Sequence, residues 1–227
     1  MKKHIYNLAH FPIVRLFYFE GINMTNKIYA LIGPHEAGKT TFLKKMLAMG
    51  INYVPMYTTR QPGKFSSDRD VYRFIDKIEF FKRDFIVKTT YKGDYYGLVK
   101  KDVLDSLQEY PITLILTDTS ALKQLAKLIK DNFESIYIMC DYVSLIERML
   151  RMGHTNEEIK HHLEYAENNG EFEAWKFATH VVKNVSTEEK AMNQILSIMG
   201  LVEKMPEAKI KELVKRQVKE EDEAAAE

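Results

Sequence analysis

The segment Gly33-Pro34-His35-Glu36-Ala37-Gly38-Lys39-Thr40 decides the fold of this chain. It satisfies the pattern G-x-x-x-x-G-K-[ST], and it lies between an apolar run at residues 27–32 and a helix-period segment at residues 39–48. A strand, a glycine loop and a helix in this order direct backbone N–H groups and a helix N-terminus at phosphate oxygens. The pattern therefore predicts a P-loop that binds a nucleoside triphosphate.

The chemistry of this loop assigns a role to each of its side chains. Lys39 is expected to reach the β- and γ-phosphates of ATP, and Thr40 to offer its hydroxyl to Mg²⁺. ATP and Mg²⁺ are therefore the predicted cofactors. The predicted nucleotide-binding residues are Gly33, Pro34, His35, Glu36, Ala37, Gly38, Lys39, Thr40 and Thr41. The alternative, a chance match to the pattern, leaves the strand and helix on either side without explanation.

Short apolar runs alternate with helix-period segments along the rest of the chain, which is typical of a parallel sheet flanked by helices in an α/β protein. Strands are predicted at residues 27–32, 112–117, 135–140 and 178–182. Helices are predicted at residues 39–48, 99–109, 120–132, 143–152, 155–168 and 187–199. Capping boxes are predicted where Thr155 precedes Glu158 and where Ser186 precedes Glu189.

Three further segments differ from this alternation. Residues 53–97 are rich in Tyr, Thr and Phe, and they are interpreted as a small β-rich insertion with one helix at residues 76–82. Residues 1–26 are interpreted as an N-terminal extension, and Met24 is a candidate for the biological start. Residues 204–227 are highly charged, which predicts a solvated, partly disordered tail.

Composition narrows the classes of function. Across 227 residues, Lys+Arg 33 against Asp+Glu 32 leave a net charge of +1, so no nucleic-acid partner is expected. No apolar run approaches the roughly 20 residues of a membrane helix, so no membrane partner is expected. The single cysteine, Cys140, favours a reducing, cytoplasmic location. The predicted phosphate loop makes a nucleoside triphosphate one expected partner.

Four blocks of the insertion carry a resemblance to a known family. They are Tyr57-Thr58-Thr59-Arg60-Gln61-Pro62, Asp70-Val71-Tyr72-Arg73-Phe74, Phe85-Ile86-Val87 and Gly93-Asp94-Tyr95-Tyr96-Gly97. In order and spacing they resemble the acceptor-binding blocks T-T-R-x-P, D-Y-x-F, F-[IL]-E and G-N-Y-Y-G of guanylate kinases, over about residues 27–203. The resemblance implies a three-layer P-loop NTPase fold with a parallel sheet, an inserted acceptor-binding domain and a helical lid at about residues 150–175.

The same resemblance implies ATP-dependent phosphotransfer to a phosphate monoester, most simply a nucleoside monophosphate. Arg60, Tyr72 and Tyr96 match family positions that grip the phosphate of the acceptor. A second arginine of that grip is replaced by Gly63, and the adjacent Lys64 offers a point charge instead. Packing between strands is the alternative role for the two tyrosines.

The positions that read guanine in the family are mostly apolar here. They are Met56, Val87 and Leu98, and only Asp118 matches a guanine-contacting carboxylate. Apolar side chains cannot accept hydrogen bonds from the guanine ring, so altered acceptor specificity is predicted. The alternative for the three apolar residues is a role as core in a pocket of different shape.

The lid carries part of the expected set of arginines. Arg148 matches an arginine that neutralises the transferring phosphoryl group, and the neighbouring Arg151 is a further catalytic candidate; a solvated helix face is the alternative for both. At two other positions where the family has an arginine, this chain has Met152 and His162. The histidines of this segment, His154, His161 and His162, are interpreted as exposed helix residues rather than metal ligands.

Two other functions fit the same residues. The first is a guanylate kinase-like binding module without turnover, which the intact Lys39-Thr40 pair disfavours. The second is a kinase for a non-guanine nucleotide or a sugar phosphate, which Met56, Val87 and Leu98 permit.

Overall fold

A computed structural model describes residues 25–62 and 68–202 of the chain. The predictions for the extension up to Met24, for Gly63 and Lys64, and for the tail at 204–227 lie outside the described residues. Within the described ranges, no helix combines the length and the apolarity needed to cross a lipid bilayer.

The described segments form nine strands and eight α-helices. In chain order the elements are β1 Lys27–Ile32, α1 Lys39–Ala48, β2 Asn52–Tyr53, β3 Met56–Thr58, α2 Asp68–Val71, β4 Tyr72–Phe74, α3 Lys77–Lys82, β5 Phe85–Tyr91, β6 Asp94–Val99, α4 Lys100–Glu109, β7 Ile112–Leu116, α5 Thr119–Ile129, β8 Phe133–Met139, α6 Tyr142–Arg151, α7 Asn156–Asn168, β9 His180–Lys183 and α8 Glu188–Ile198. Two 3₁₀ helices, Lys130–Asn132 and Glu171–Phe177, complete the set.

The main sheet has five parallel strands in the order β2-β7-β1-β8-β9. Side chains of β1 alternate between its faces: Tyr29 and Leu31 belong to one buried cluster, and Ile28, Ala30 and Ile32 to another. Helices α1, α6 and α8 contribute to the first cluster, and α4 and α5 to the second. The fold is therefore the expected three-layer α/β arrangement, with helices on both faces of the sheet.

A second sheet lies in the segment interpreted as an insertion, residues 53–97, and its strand β6 extends two residues further, to Val99. Its four strands have the order β4-β3-β6-β5, with β3 parallel to β4 and antiparallel to β6. Strands β5 and β6 form an antiparallel hairpin whose turn contains Lys92 and Gly93, both at positive φ. The hairpin directs its turn at helix α7, because the Tyr165 hydroxyl accepts a hydrogen bond from the backbone N–H of Lys92 at 3.2 Å.

Several predicted bounds differ from the structure by one to three residues. The strand expected at 135–140 is Phe133–Met139, the one at 178–182 is His180–Lys183, and the last turn of the helix expected at 120–132 is a 3₁₀ helix. The capping box at Thr155 is confirmed. The one at Ser186 is wrong, because Thr187 is the N-cap of α8 and accepts from the N–H of Lys190 at 3.4 Å.

Candidate active site

The phosphate loop, residues 33–41, connects β1 to α1 at the carboxyl edge of the main sheet. Gly33 and Gly38 have φ values of 141° and 102°, and a Cβ on either would lie under 3 Å from another atom: 2.7 Å from the Ile138 carbonyl oxygen and 2.6 Å from Asn184 Nδ2. Both positions therefore require glycine. Gly38 is also the N-cap of α1 and offers no side-chain cap, so the first amides of the helix are available to an anion.

Lys39 turns back over this loop. Its Nζ donates hydrogen bonds to the carbonyl oxygens of Gly33 and Pro34, both at 2.7 Å. Burial lowers the pKa of Lys39, and the nearby carboxylates of Glu171 and Glu36 oppose that shift. The ammonium group is therefore held at the mouth of the loop, where phosphate oxygens would meet it. Thr40 and Thr41 are exposed in the first turn of α1.

Two side chains from distant segments donate hydrogen bonds to the backbone of the phosphate loop. Arg148 donates through Nη1 to the carbonyl oxygen of Glu36 at 3.1 Å and through Nη2 to that of Asn184 at 2.7 Å. Asn184 is buried and donates through Nδ2 to the carbonyl oxygen of Ala37 at 2.8 Å. Glu36 has a φ of 59°, a left-handed conformation that these contacts help to hold.

The two lid arginines therefore differ in position. The guanidinium of Arg148 contacts the backbone of the phosphate loop, whereas Arg151 is 76% exposed and its nearest carboxylate is Glu147 at 3.3 Å. The structure brings Arg148 into the site and leaves Arg151 on the solvated face of α6. For Arg151 the solvated-face alternative describes the observed contact.

The acceptor cluster, Arg60, Tyr72 and Tyr96, is brought together by the second sheet. The Arg60 guanidinium carbon lies 5.3 Å from the centre of the Tyr72 ring, and the Tyr72 and Tyr96 rings are 5.9 Å apart. Burial raises the pKa of the Tyr96 hydroxyl, while the charge of Arg60 opposes the shift. One guanidinium and two phenol rings thus share a small region, and such groups suit a phosphate monoester. Tyr96 is also 8% exposed within a hydrophobic core cluster against which Tyr72 packs, so the packing alternative describes part of their contacts.

The positions expected to face the base of the acceptor lie deeper. Met56, Val87 and Leu98 are exposed by 3%, 1% and 0%, and all three belong to a hydrophobic core cluster. These three side chains therefore line no open surface that an acceptor could contact. Their packing is that of core residues, which is the alternative given above for them. Asp118 is the N-cap of α5: its Oδ1 accepts from the N–H groups of Ser120 and Ala121, both at 2.9 Å.

Two residues that the motifs did not indicate, Tyr91 and Glu171, interact with charged groups of the site. Glu171, at the start of a 3₁₀ helix, interacts with the charges of Lys39 and Lys92 and with the hydroxyl of Tyr91. Burial raises the pKa of Glu171, and the charge of Lys39 and the hydrogen bond from Tyr91 oppose the rise. Burial also raises the pKa of Tyr91, and the charge of Glu171 adds to the rise. No local pattern pairs these two residues, because Tyr91 ends β5 whereas Glu171 begins a 3₁₀ helix much later in the chain.

Lys92 connects the hairpin of the insertion to the lid. Its Nζ lies 3.0 Å from Nδ1 of His162 and 4.9 Å from the centre of the Tyr165 ring. An ammonium only donates, so Nδ1 of His162 accepts. Burial lowers the pKa of His162 to about 4, and the charge of Lys92 adds to the shift. A lysine from the insertion therefore lies beside the position where the family resemblance implies a lid arginine.

Three histidines, His35, His154 and His162, form what we call the histidine cluster. The rings of His35 and His162 stack at 4.3 Å with an angle of 8°, and His154 lies edge-on to both, at 6.1 and 5.4 Å. The interpretation of the lid histidines as exposed is right for His161 and wrong for His154 and His162, which are half-buried against the phosphate loop. Burial lowers the pKa of His35 to about 3, and His162 contributes to the shift.

Comparison with known proteins places this chain in one family. The family model described as guanylate kinase matches residues 25–200. The chain is 30% identical over 178 residues to the guanylate kinase of Bartonella quintana, covering 76% of this chain and 78% of that protein. It is 29% identical over 178 residues to the guanylate kinase of Prochlorococcus marinus, covering 75% of this chain and 94% of that protein.

A solved structure shares the fold. The crystal structure of guanylate kinase from Anaplasma phagocytophilum superposes with a TM-score of 0.58 at 20% identity, covering 78% of this chain and 85% of that one.

Proposed function

This chain belongs to the guanylate kinase family of nucleoside monophosphate kinases, and from that premise we propose that it transfers the terminal phosphoryl group of ATP to a nucleoside monophosphate that it holds mainly by its phosphate. The observation that carries the proposal is the phosphate loop, with Lys39 at its mouth and an uncapped helix N-terminus behind it. A binding module without turnover has no need of either feature.

The donor nucleotide is assigned to residues 33–41. The first amides of α1 and the ammonium of Lys39 suit the β- and γ-phosphates of ATP. The exposed hydroxyl of Thr40 in the first turn is a suitable oxygen donor for Mg²⁺. Mg²⁺, when bound with ATP, neutralises charge on the phosphates.

The acceptor is assigned to the acceptor cluster, where Arg60, Tyr72 and Tyr96 hold its phosphate. An oxygen of that phosphate is already a nucleophile, so the side chains need only position it and neutralise charge, and no general base is required. Lys92 is proposed to supply part of the positive charge that the lid arginines supply in the family, because it reaches the lid at His162. Glu171 would keep Lys39 and Lys92 oriented between the two sites.

A non-guanine acceptor is the second candidate, and one observation favours it. Met56, Val87 and Leu98 are packed in the core, so they offer no hydrogen-bond acceptors to the N–H groups of guanine. A nucleotide with another base, or a sugar phosphate, would still be held by the acceptor cluster. Both candidates share the donor site and differ only in the group attached to the acceptor's phosphate.

The test is an ADP-release assay with Mg·ATP and a panel of GMP, AMP, CMP, UMP, dTMP and ribose 5-phosphate. We expect turnover with at least one monophosphate. The preference for GMP should be weaker than in a site with polar side chains at the three guanine-contacting positions. Lys39→Ala should abolish turnover and ATP binding without altering the far-UV spectrum. Lys44→Ala, an exposed lysine on the same helix, is the control and should retain both. An inactive wild-type protein that binds none of these acceptors would refute phosphotransfer.

A further inference from the structure

The histidine cluster lies where the phosphate loop meets the lid, and it brings metal-ligating side chains from both segments together. His35 and Glu36 belong to the phosphate loop, and His154 lies immediately before the N-cap of α7. One potential ligand atom from each of these three residues lies within 4.8 Å of the other two. We propose that His35, Glu36 and His154 form a site for a zinc-class divalent cation that ties the lid to the phosphate loop.

The spacing of the ligand atoms is close to what such an ion needs. Tetrahedral zinc with bonds of about 2.0–2.2 Å places its ligand atoms about 3.4 Å apart. His35 Nε2 and Glu36 Oε1 are already 3.2 Å apart. The ligand atom of the half-buried His154 lies within 4.8 Å of the other two, so ion binding requires it to move closer to them.

The surroundings orient the two imidazoles. His162 stacks on the face of His35 at 4.3 Å and so restricts its rotation. Nδ1 of His154 lies 3.8 Å from Oε2 of Glu158, which places a carboxylate beside one ring nitrogen and leaves the other for a metal. The backbone N–H of His154 donates to the carbonyl oxygen of Met149 at 3.1 Å and anchors the residue at the end of α6.

The types of ligand atom in this site favour zinc over magnesium. Two imidazoles and one carboxylate are a ligand set of zinc sites that keep an open position, whereas Mg²⁺ prefers oxygen ligands throughout. The site is therefore distinct in kind from the magnesium chemistry assigned to Thr40. Lys39 and Lys92 repel a cation here, and the carboxylates of Glu36 and Glu171 oppose that repulsion.

A spectroscopic titration tests the site without ATP or acceptor, so its result is independent of the proposed kinase activity. Full-length protein is titrated with Co²⁺, whose visible absorption is intense only in four- or five-coordinate sites, and Zn²⁺ is then added to displace it. We expect one equivalent of intense Co²⁺ absorption that Zn²⁺ abolishes. We also expect the thermal midpoint to rise with Zn²⁺ by mass action.

The matched variants are His154→Ala and His161→Ala, because His161 is the exposed histidine of the same segment. His154→Ala should weaken Co²⁺ and Zn²⁺ binding by at least about tenfold and remove the thermal shift. His161→Ala should change neither. Wild-type protein with only weak, octahedral-type Co²⁺ absorption would overturn the proposal, and so would equal losses in the two variants. Should His154→Ala fold poorly, His154→Gln, judged by the same absorption band, decides in the same way.

Discussion

Nζ of Lys92 lies 3.0 Å from Nδ1 of His162, across the junction between the β5–β6 hairpin and helix α7. The tyrosines on either side strengthen this junction: the Tyr91 and Tyr165 rings are 4.9 Å apart, and the Tyr165 hydroxyl accepts from the backbone N–H of Lys92. The insertion and the lid therefore meet directly. We propose that in phosphotransfer this contact excludes water from the site and places a cation beside it.

Replacing Lys92 with methionine keeps most of the side-chain volume and removes the charge. We expect kcat to fall on the order of a hundredfold, because one preorganised charge at the transferring group is lost. Steady-state kinetics on the best acceptor measure the effect. Lys88→Met, at an exposed position on the same hairpin, is the control and should leave kcat unchanged. Equal kcat values in both variants would remove Lys92 from the mechanism.

Arg148 and Arg151 make a matched pair on helix α6. Arg148→Ala removes two charge-assisted hydrogen bonds, to the carbonyl oxygens of Glu36 and Asn184. It should lower the free energy of unfolding by about 2 kcal/mol or more and weaken ATP binding. Arg151→Ala removes only an exposed pair and should cost less than about 0.5 kcal/mol. Urea unfolding and ATP titration compare the two. A larger loss for Arg151→Ala would contradict the assigned positions.

Arg60 should matter equally for every acceptor, because it is assigned to the phosphate that all of them share. Arg60→Ala is expected to raise the KM of each monophosphate by a similar factor, about tenfold or more, with the KM of ATP unchanged. Arg73→Ala, on the neighbouring strand, is the control: this exposed side chain donates to the carbonyl oxygen of Arg69. An effect on one base alone would place Arg60 at the base instead of the phosphate.

Val87 tests whether guanine recognition can be restored by one carboxylate. Because Val87 is 1% exposed within a core cluster, Val87→Glu should lower the free energy of unfolding by at least about 3 kcal/mol. Lys88→Glu introduces a carboxylate at the adjacent exposed position and should cost less than about 0.5 kcal/mol. Thermal and urea unfolding measure the difference. A stable Val87→Glu protein with raised GMP turnover would show that this position opens to the acceptor after all.

The ionisation of Glu134 is expected to make the free energy of unfolding depend on pH. Burial alone would raise the pKa of this carboxyl, but hydrogen bonds from Lys27 and His180 outweigh burial and hold the pKa below its ordinary value of 4.5. The His180 contact is 2.8 Å, from Nε2 to Oε2. The ionised carboxylate therefore stabilises the folded state above pH 4.5, and this contribution is lost as the pH falls through the lowered folded-state pKa.

Glu134→Gln checks this dependence. Unfolding free energies measured from neutral pH down to about pH 3 should fall less steeply in the variant than in the wild type, and the two curves should approach each other at the acid end. Parallel curves across the range would mean that another carboxyl carries the acid sensitivity.

Local patterns in the sequence determined the elements and the loop between them. Strand β1 and helix α1 lie where their apolar runs and the glycine motif predicted, because backbone conformation at those residues depends on neighbours in the chain. The family blocks also named Arg60, Tyr72 and Tyr96 as one group, and the structure brings these three side chains together; their role in binding an acceptor stays a prediction. The observed ends of some strands and helices differ by a few residues from the predicted ends, where no glycine or capping residue marks the end of the element.

Tertiary structure alone decided which side chains share the space between the loop, the insertion and the lid. His35 meets His162, and Arg148 meets Glu36, only after segments more than 100 residues apart pack together. The same packing buried Val87 and exposed Arg151, although the family resemblance places both of them in or beside the site. Periodicity specifies which face of an element is buried, but the contacts across that face depend on the register and distance of partners that no local pattern contains.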